Sequence, residues 1–469
     1  MPPTNTPNLV SVTSINTDGS HNTLHPADVS GKFTFWRRAY GALLLAIYVL
    51  LPWIPVGGFP AVFLDLSKRR FHFFGLTFLS EDLWLGFFLL SGLGLVLFYV
   101  AALLGRLWCG WACPYTVFLE HLYRRVERLI DGDAPARRRL DKAPSSFSKA
   151  TKRVLKHSIY LLISLAIAHV FVSYFVSIPR LYQYMQKSPL DNAKAFGVMA
   201  FLTGALYFCF SWFREQFCII MCPYGRIQSA LTDDDTIIIG YDEKRGEPRG
   251  KKSDPSAGDC INCSRCVQVC PTGIDIREGL QLECIGCANC IDACNTIMDK
   301  TGRDRGLIRY DSLNGLNQKK RRIWRPRVML YTGMLLIGVV IFNLFLSNLH
   351  SAKMELIRMP GQPYYVDDSG VRNQFRLQMI SKQSEPTEFN VRFIGLPEGA
   401  IVSGVDGKIT LSPYEETTKT LLIQVPTKYF SKEFKLTLEA TVTPGEFTVS
   451  DTIDFLGPSA YTLKPSASP

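Results

Sequence analysis

No cysteine follows Cys294 in this 469-residue chain, although the chain has thirteen. A secreted protein held by disulfides would spread its bridges through its outer domain, so these thiols read as metal ligands. The sequence also lacks a Gly-rich phosphate loop, a dinucleotide fingerprint and any Ser/His/Asp arrangement. It therefore offers no motif for nucleotide-dependent or hydrolytic chemistry. Histidine is scarce, seven in all, and only His169 lies in the middle of an apolar run, so a bis-His haem within one chain is not expected. The first residues lack the charged and apolar regions of a cleavable signal peptide. Residues 1–34 are rich in Ser, Thr, Asn and Pro and read as a disordered cytoplasmic N-terminus. The net charge of +11 does not point to nucleic acid, and no nucleic-acid partner is expected. Most of the excess flanks apolar runs, where the positive-inside rule puts it.

Five uncharged apolar runs cover 39–64, 83–105, 158–179, 195–213 and 328–352. Each supplies roughly the 20 residues that a helix needs to cross a bilayer. Pro52, Pro55 and Pro60 should end the first helix near Leu51. Lys32, Arg37 and Arg38 precede the first run, twelve Lys and Arg lie between the second and third, and six from Lys319 to Arg327 precede the fifth. The other two loops carry three each. This asymmetry places the N-terminus, the 106–157 loop and the 214–327 segment in the cytoplasm and the C-terminal tail outside. Tyr123 and the basic stretch through Arg139 are expected to follow the lipid headgroups. After the fifth run the period changes to two. Phe375, Leu377 and Met379 alternate with polar residues, as do Phe389, Val391 and Phe393, and then Phe434, Leu436, Leu438, Ala440 and Val442. Six or seven short strands imply an immunoglobulin-like β-sandwich.

The cysteines fall into two constellations. Cys260, Cys263, Cys266 and Cys270, followed by Pro271, spell C-x2-C-x2-C-x3-C-P, and Cys284, Cys287, Cys290 and Cys294 repeat the spacing with Asn295 in the place of proline. Two such runs specify a module with two [4Fe–4S] clusters, in which the fourth cysteine of each run crosses to the other cluster. One cluster then takes Cys260, Cys263, Cys266 and Cys294, and the other takes Cys284, Cys287, Cys290 and Cys270. Gly286 allows close backbone approach. A pair of four-cysteine zinc sites would instead show two C-x2-C pairs separated by a longer loop. The second constellation is Cys109-Gly-Trp-Ala-Cys113-Pro-Tyr and Cys218-Ile-Ile-Met-Cys222-Pro-Tyr. Both read C-x3-C-P-Y at the cytoplasmic ends of the second and fourth runs, an apparent internal duplication. Residues four apart share a helix face, so each pair presents two thiols together and four thiols converge. Soft thiolates suit Cu(I), an iron–sulfur group or a redox disulfide; Met221 would add a thioether for copper, but core packing is the expectation for a Met in a membrane helix. Buried small hydrophobes are the alternative for these cysteines, and packing is the expectation for Cys209.

The paired C-x3-C-P motifs, the ferredoxin runs with Val267-Gln-Val-Cys-Pro-Thr-Gly-Ile-Asp-Ile and Cys284-Ile-Gly-Cys, and Arg305-Gly-Leu-Ile-Arg-Tyr after them resemble the cytochrome c oxidase accessory protein family called CcoG, FixG or RdxA. The resemblance covers about residues 35–460. It implies a multi-pass protein of the bacterial inner membrane that serves assembly of cbb3-type cytochrome oxidase. The activity it implies is reduction of Cu(II) to Cu(I), with copper ions and a copper chaperone or oxidase assembly factors as partners besides the bilayer and an unidentified electron donor. The membrane half also resembles quinol-dehydrogenase-like subunits. The fold class expected is a multidomain membrane protein with a five-helix transmembrane bundle, a bacterial 2[4Fe–4S] ferredoxin-like cytoplasmic module and a C-terminal immunoglobulin-like β-sandwich facing the periplasm. Its parts are 1–34, the four-helix region 35–225, the ferredoxin domain 226–325, the fifth helix 326–350 and the sandwich 351–469. Cys109, Cys113, Cys218 and Cys222 are the expected copper and catalytic residues. A copper metallochaperone with structural clusters and a quinol-dehydrogenase-like subunit are the alternatives.

Overall fold

The structure, a computed structural model, describes residues 23–458 apart from 80, 81, 252, 348–350, 368, 384, 406 and 431. Two compact units divide near residue 343.

Among the described residues, five helices are long and apolar enough to cross a membrane: Lys32–Trp53, Trp84–Leu104, Phe147–Ser173, Ala193–Phe213 and Pro326–Ser347. Between 6% and 22% of their apolar windows are buried, so most of this surface faces outward and suits lipid rather than water. The first helix ends at Leu50, and a 3-10 turn over Leu51–Trp53 takes in Pro52. The third begins well before its apolar run, because Ser146 caps it by accepting from the Lys149 amide at 3.2 Å and a basic stretch forms its first turns. His169, on that helix, pairs its Nδ1 with the Leu165 carbonyl one turn back, at 2.8 Å.

The leader divides. Residues 1–22 lie outside the described residues, but 23–31, expected to be disordered, run against the ferredoxin module. Ala27 N donates to Gln268 O at 2.7 Å, and Arg265 donates to Asp28 O at 2.8 Å. The helix from Lys32 has no cap of its own. Asp292 of the module caps it from a distance, accepting from the Thr34 amide and hydroxyl, each at 2.7 Å. A carboxylate at a helix N-terminus both satisfies orphan donors and complements the dipole.

The basic stretch after Tyr123 also departs from expectation. Tyr123 is 1% exposed, stacks on Phe210 at 4.7 Å and shares a 2.7 Å hydrogen bond with Ser164. Arg124, Arg137 and Arg214 are buried with Glu127 and Glu215 and, joined by the half-buried Glu120, form one ion-pair network. These residues turn inward because each charge finds a partner there, the condition under which burying a charge is tolerated.

The second unit contains the sandwich. One sheet orders its strands Ile401–Ser403, Glu416–Val425, Gly370–Ser381 and Ala352–Arg358, with Tyr365–Asp367 also pairing to Gly370–Ser381. The other orders Lys408–Leu411, Thr387–Ile394, Phe434–Thr443 and Phe447–Phe455. All pairings are antiparallel. The alternation read from the sequence fills the core: Phe375, Leu377, Met379, Phe389, Leu436 and Leu438 are fully buried. The strands outnumber the expected six or seven because three-residue strands such as Ile401–Ser403 are too short to show a period.

Candidate metal centre

The first constellation folds as two copies of one loop. Asn262 and Gly286 occupy equivalent places in the two runs, as do Ser264 and Ala288, and all four have left-handed backbone with φ between 52° and 68°. Three of them are not glycine, a conformation that costs about 1–2 kcal/mol each. Each loop then enters a helix, Arg265–Gln268 or Asn289–Thr301. The turns bring thiols from both runs together. One cavity is lined by Cys260, Cys263, Cys266 and Cys294, the other by Cys270, Cys284, Cys287 and Cys290, with Cys266 bordering both. Burial pushes the Cys266 and Cys287 thiols up to about 11 and Cys284 and Cys294 up to about 12. Buried sulfurs in two groups, each with a thiol from the opposite run, fit cubane clusters, whose iron offsets the thiolate charge that burial disfavours. Asn295, where proline is usual, leaves its helix unbroken as far as Thr301, and its Oδ1 accepts from the Gly306 amide at 3.0 Å.

The second constellation is duplicated in detail, but the pairs do not lie on continuous helices. The chain breaks first at Gly105 (φ 55°, ψ −130°) and at Arg214 (φ 47°, ψ −126°). Glycine adopts this backbone freely. Arg214, 3% exposed, is held there by Glu127. Cys109 and Cys218 follow in the short turns Leu107–Trp111 and Phe217–Met221. Cys113 and Cys222 then cap the helices Pro114–Phe118 and Pro223–Leu231. Proline in the first position of the new helix lacks the amide that would continue the old one. Each turn closes instead with a bond from five residues on, Cys113 N to Trp108 O at 2.9 Å and Cys222 N to Phe217 O at 2.8 Å.

The four thiols come within electrostatic reach of one another. Burial pushes Cys109 up to about 11 and Cys218 up to about 12; neighbouring thiols add to both shifts, and the Arg106 guanidinium opposes them. The Cys109 thiol donates to Gln228 Oε1 at 3.2 Å, and Gln228 Nε2 donates to Gly105 O and Tyr224 Oη. The tyrosines of the two motifs cross between repeats: Tyr115 Oη lies 2.9 Å from Cys209 O and 2.5 Å from Arg214 O, and Tyr224 donates to Leu97 O at 3.2 Å. Met221 is 61% exposed, and Cys209 opens the π-turn Cys209–Phe213 before the second break.

Sequence reading missed Arg106 and Gln228. Arg106 was legible as a lone cation ahead of the first pair; Gln228, six residues past Cys222, carried no signal. Arg106 also donates to Leu282 O of the ferredoxin module. The two constellations meet here without an intervening side chain. A Cβ on Gly110 would stand 2.6 Å from Ile285 O and 2.9 Å from Cys287 Cα, and one on Gly286 would stand 3.2 Å from the Arg106 carbonyl. Trp111 Nε1 donates to Tyr310 Oη at 3.1 Å, and Tyr310 donates to Gly286 O at 2.6 Å.

A dicluster ferredoxin fold, continuous with apolar membrane-type helices and joined to an immunoglobulin-like sandwich, defines a membrane iron–sulfur electron-transfer protein. The comparisons agree. Residues 213–313 match the 4Fe–4S dicluster domain family, 85–132 a 4Fe–4S binding domain family, and 342–458 the immunoglobulin-like fold at the C-terminus of FixG. Each iron–sulfur match takes in one C-x3-C-P-Y pair. Nitrogen fixation protein FixG of Rhizobium meliloti is 34% identical over 87% of both chains. Proteins RdxA and RdxB of Cereibacter sphaeroides are 37% and 36% identical, over 86% of this chain and 86% of RdxA, and 84% of this chain and 85% of RdxB. A crystal structure of a FixG-related protein from Vibrio parahaemolyticus aligns at 25% identity with 23% of this chain and 97% of its own, with a TM-score of 0.21. The chain belongs to the FixG/RdxA family, and its ferredoxin module carries two [4Fe–4S] clusters.

Proposed function

We propose that this protein reduces Cu(II) to Cu(I) at Cys109, Cys113, Cys218 and Cys222, in the service of cbb3-type cytochrome oxidase assembly. The observation that carries the reading is the direct backbone contact between the Cys287 loop and the turn bearing Cys109. In this reading Cys260, Cys263, Cys266 and Cys294 hold one cluster, and Cys284, Cys287, Cys290 and Cys270 hold the other. When bound, the clusters supply one-electron storage. The four thiols take the copper substrate and release their protons as they ligate it. One electron then converts Cu(II) to Cu(I), the state that prefers soft sulfur ligands and that chaperones exchange through such ligands. Gln228 orients the Cys109 sulfur, and Arg106 offsets the charge of the assembled thiolates. The electron comes from a cytoplasmic one-electron donor or a quinol. The lysine and arginine asymmetry supports a cytoplasmic ferredoxin module and a periplasmic sandwich in the bacterial inner membrane.

The test is anaerobic purification of the full chain and of a variant with all four of these cysteines changed to Ser. About eight iron per chain should persist in both, while copper binding and Cu(II) reduction disappear from the variant. Copper bound but not reduced by the wild-type protein would favour the metallochaperone reading. A loss of about four iron in the variant would assign these thiols to a further cluster.

A further inference from the structure

At the end of the helix Lys32–Leu50 nearest the ferredoxin module lies a cavity that neither the clusters nor the copper reading uses. Its wall carries six arginines, Arg37, Arg38, Arg124, Arg125, Arg128 and Arg137, against two carboxylates, Asp28 and Glu120. The ion pairs leave donors over. Arg128 holds Asp28 at 2.7 Å, Arg124 binds Glu120 and Glu215, and Arg137 reaches Glu127 at 3.4 Å. Arg37 meets Glu120 only at 3.6 Å, beyond hydrogen-bonding distance. The Arg37 side chain is nevertheless 6% exposed, and its Nε and Nη1 have no partner. The Nε atoms of Arg124 and Arg137 are buried and unpaired as well, and Arg125 has no ion pair among the described residues.

Buried donors without acceptors are costly, and guanidinium forks match the oxygens of phosphate and carboxylate bidentately. The depth is also informative. Phe35 and Trp36, beside Arg37 on the same helix, are 64% and 57% exposed, as aromatic residues at a membrane interface are. Basic pockets between helices at that level take phosphate headgroups. Asn289, also in the lining, offers a buried Oδ1 with no donor, which suits a hydroxyl beside the phosphate.

We propose that this cavity binds a phosphate group, whose oxygens accept from the Arg125 guanidinium and from the unpaired donors of Arg37, Arg124 and Arg137. Its source is either the headgroup of an anionic phospholipid or free phosphate. The test uses the full-length, cluster-loaded protein, delipidated in neutral detergent, with thermal loss of the iron–sulfur absorbance as the readout. Phosphatidylglycerol should raise the midpoint where phosphatidylcholine does not, and Arg37→Gln and Arg125→Gln should each weaken that response by about tenfold or more. Arg180→Gln, in the helix Ile178–Met185 away from the cavity, should respond as wild type. Stabilisation by inorganic phosphate beyond that of chloride at matched ionic strength, with the same loss in the variants, would identify free phosphate as the source. If Arg37→Gln loses iron, Arg125→Gln decides alone, because Arg125 is only part-buried. The proposal is overturned if no phosphate compound stabilises more than matched chloride, or if Arg125→Gln responds as wild type.

Discussion

The ferredoxin module and the C-terminal sandwich bury different things. The principal apolar cluster of the sandwich holds 22 buried residues and no cysteine, whereas that of the module holds ten, two of which are the thiols Cys260 and Cys266. A fully buried aliphatic or aromatic side chain contributes about 1.5–3 kcal/mol, so side-chain packing can sustain the sandwich. The module has too little to exclude water from two cavities lined with sulfur, and its fold leans on what those sulfurs bind, as in other small metal-dependent domains. One region is held by shape and the other by ligation.

The largest expected effect comes from breaking the ligation. Cys287, 6% exposed at the contact with the Cys109 turn, is the most informative thiol to remove. Cys287→Ser should lose about four iron per chain. It should also open the 226–325 region to limited proteolysis while the 352–455 region stays resistant. Full iron content in this variant would show that the module does not depend on that thiol. Next in size is the reverse experiment. Phe389 is fully buried in the strand Thr387–Ile394, opposite Ile409 and Val442. Phe389→Ala should destabilise the sandwich by about 3–5 kcal/mol, read as an earlier urea midpoint for protease resistance of the C-terminal region. The iron content should not change. A fall in iron would mean that the two regions are not independent in stability.

The contrast also explains what could be read in advance. The sandwich was legible because a half-buried strand writes its face at every second position, and Phe434–Thr443 does so through Leu436, Leu438, Ala440 and Val442. The cysteine runs were legible because ligation fixes spacing. The course of the backbone around the second constellation was not. Spacing of four suggested one helix face, but Pro114 and Pro223 start new helices directly after each pair, and the thiols come within electrostatic reach through the turns that precede them. Nor was the inward turn of Tyr123, Arg124 and Arg137. A basic stretch looks the same in sequence whether it meets headgroups or buried carboxylates, and only Glu120 and Arg124, four apart, hinted at pairing. Contacts between distant segments, such as Asp292 capping the Lys32–Leu50 helix, leave no local pattern at all.

The smallest effect sharpens the comparison at one atom. Gly286 and Asn262 are equivalent in the two cysteine runs, and both are left-handed, with φ of 68° and 53°. The first loop therefore shows that this backbone does not require glycine, since asparagine is among the residues that tolerate it. What distinguishes Gly286 is the Arg106 carbonyl and Leu107 amide, 3.2–3.3 Å from the place of its missing Cβ. Gly286→Ala should cost about 1–2 kcal/mol through conformation, with a further penalty for pushing the loop off the Cys109 turn. Gly286→Asn removes most of the conformational cost and keeps the steric one. If close approach is what the glycine serves, the two variants should slow copper reduction alike, each with full iron content and an unchanged sandwich. If Gly286→Asn reduces copper at the wild-type rate, the glycine serves backbone conformation alone, and the contact between the two cysteine constellations can loosen without slowing the electron.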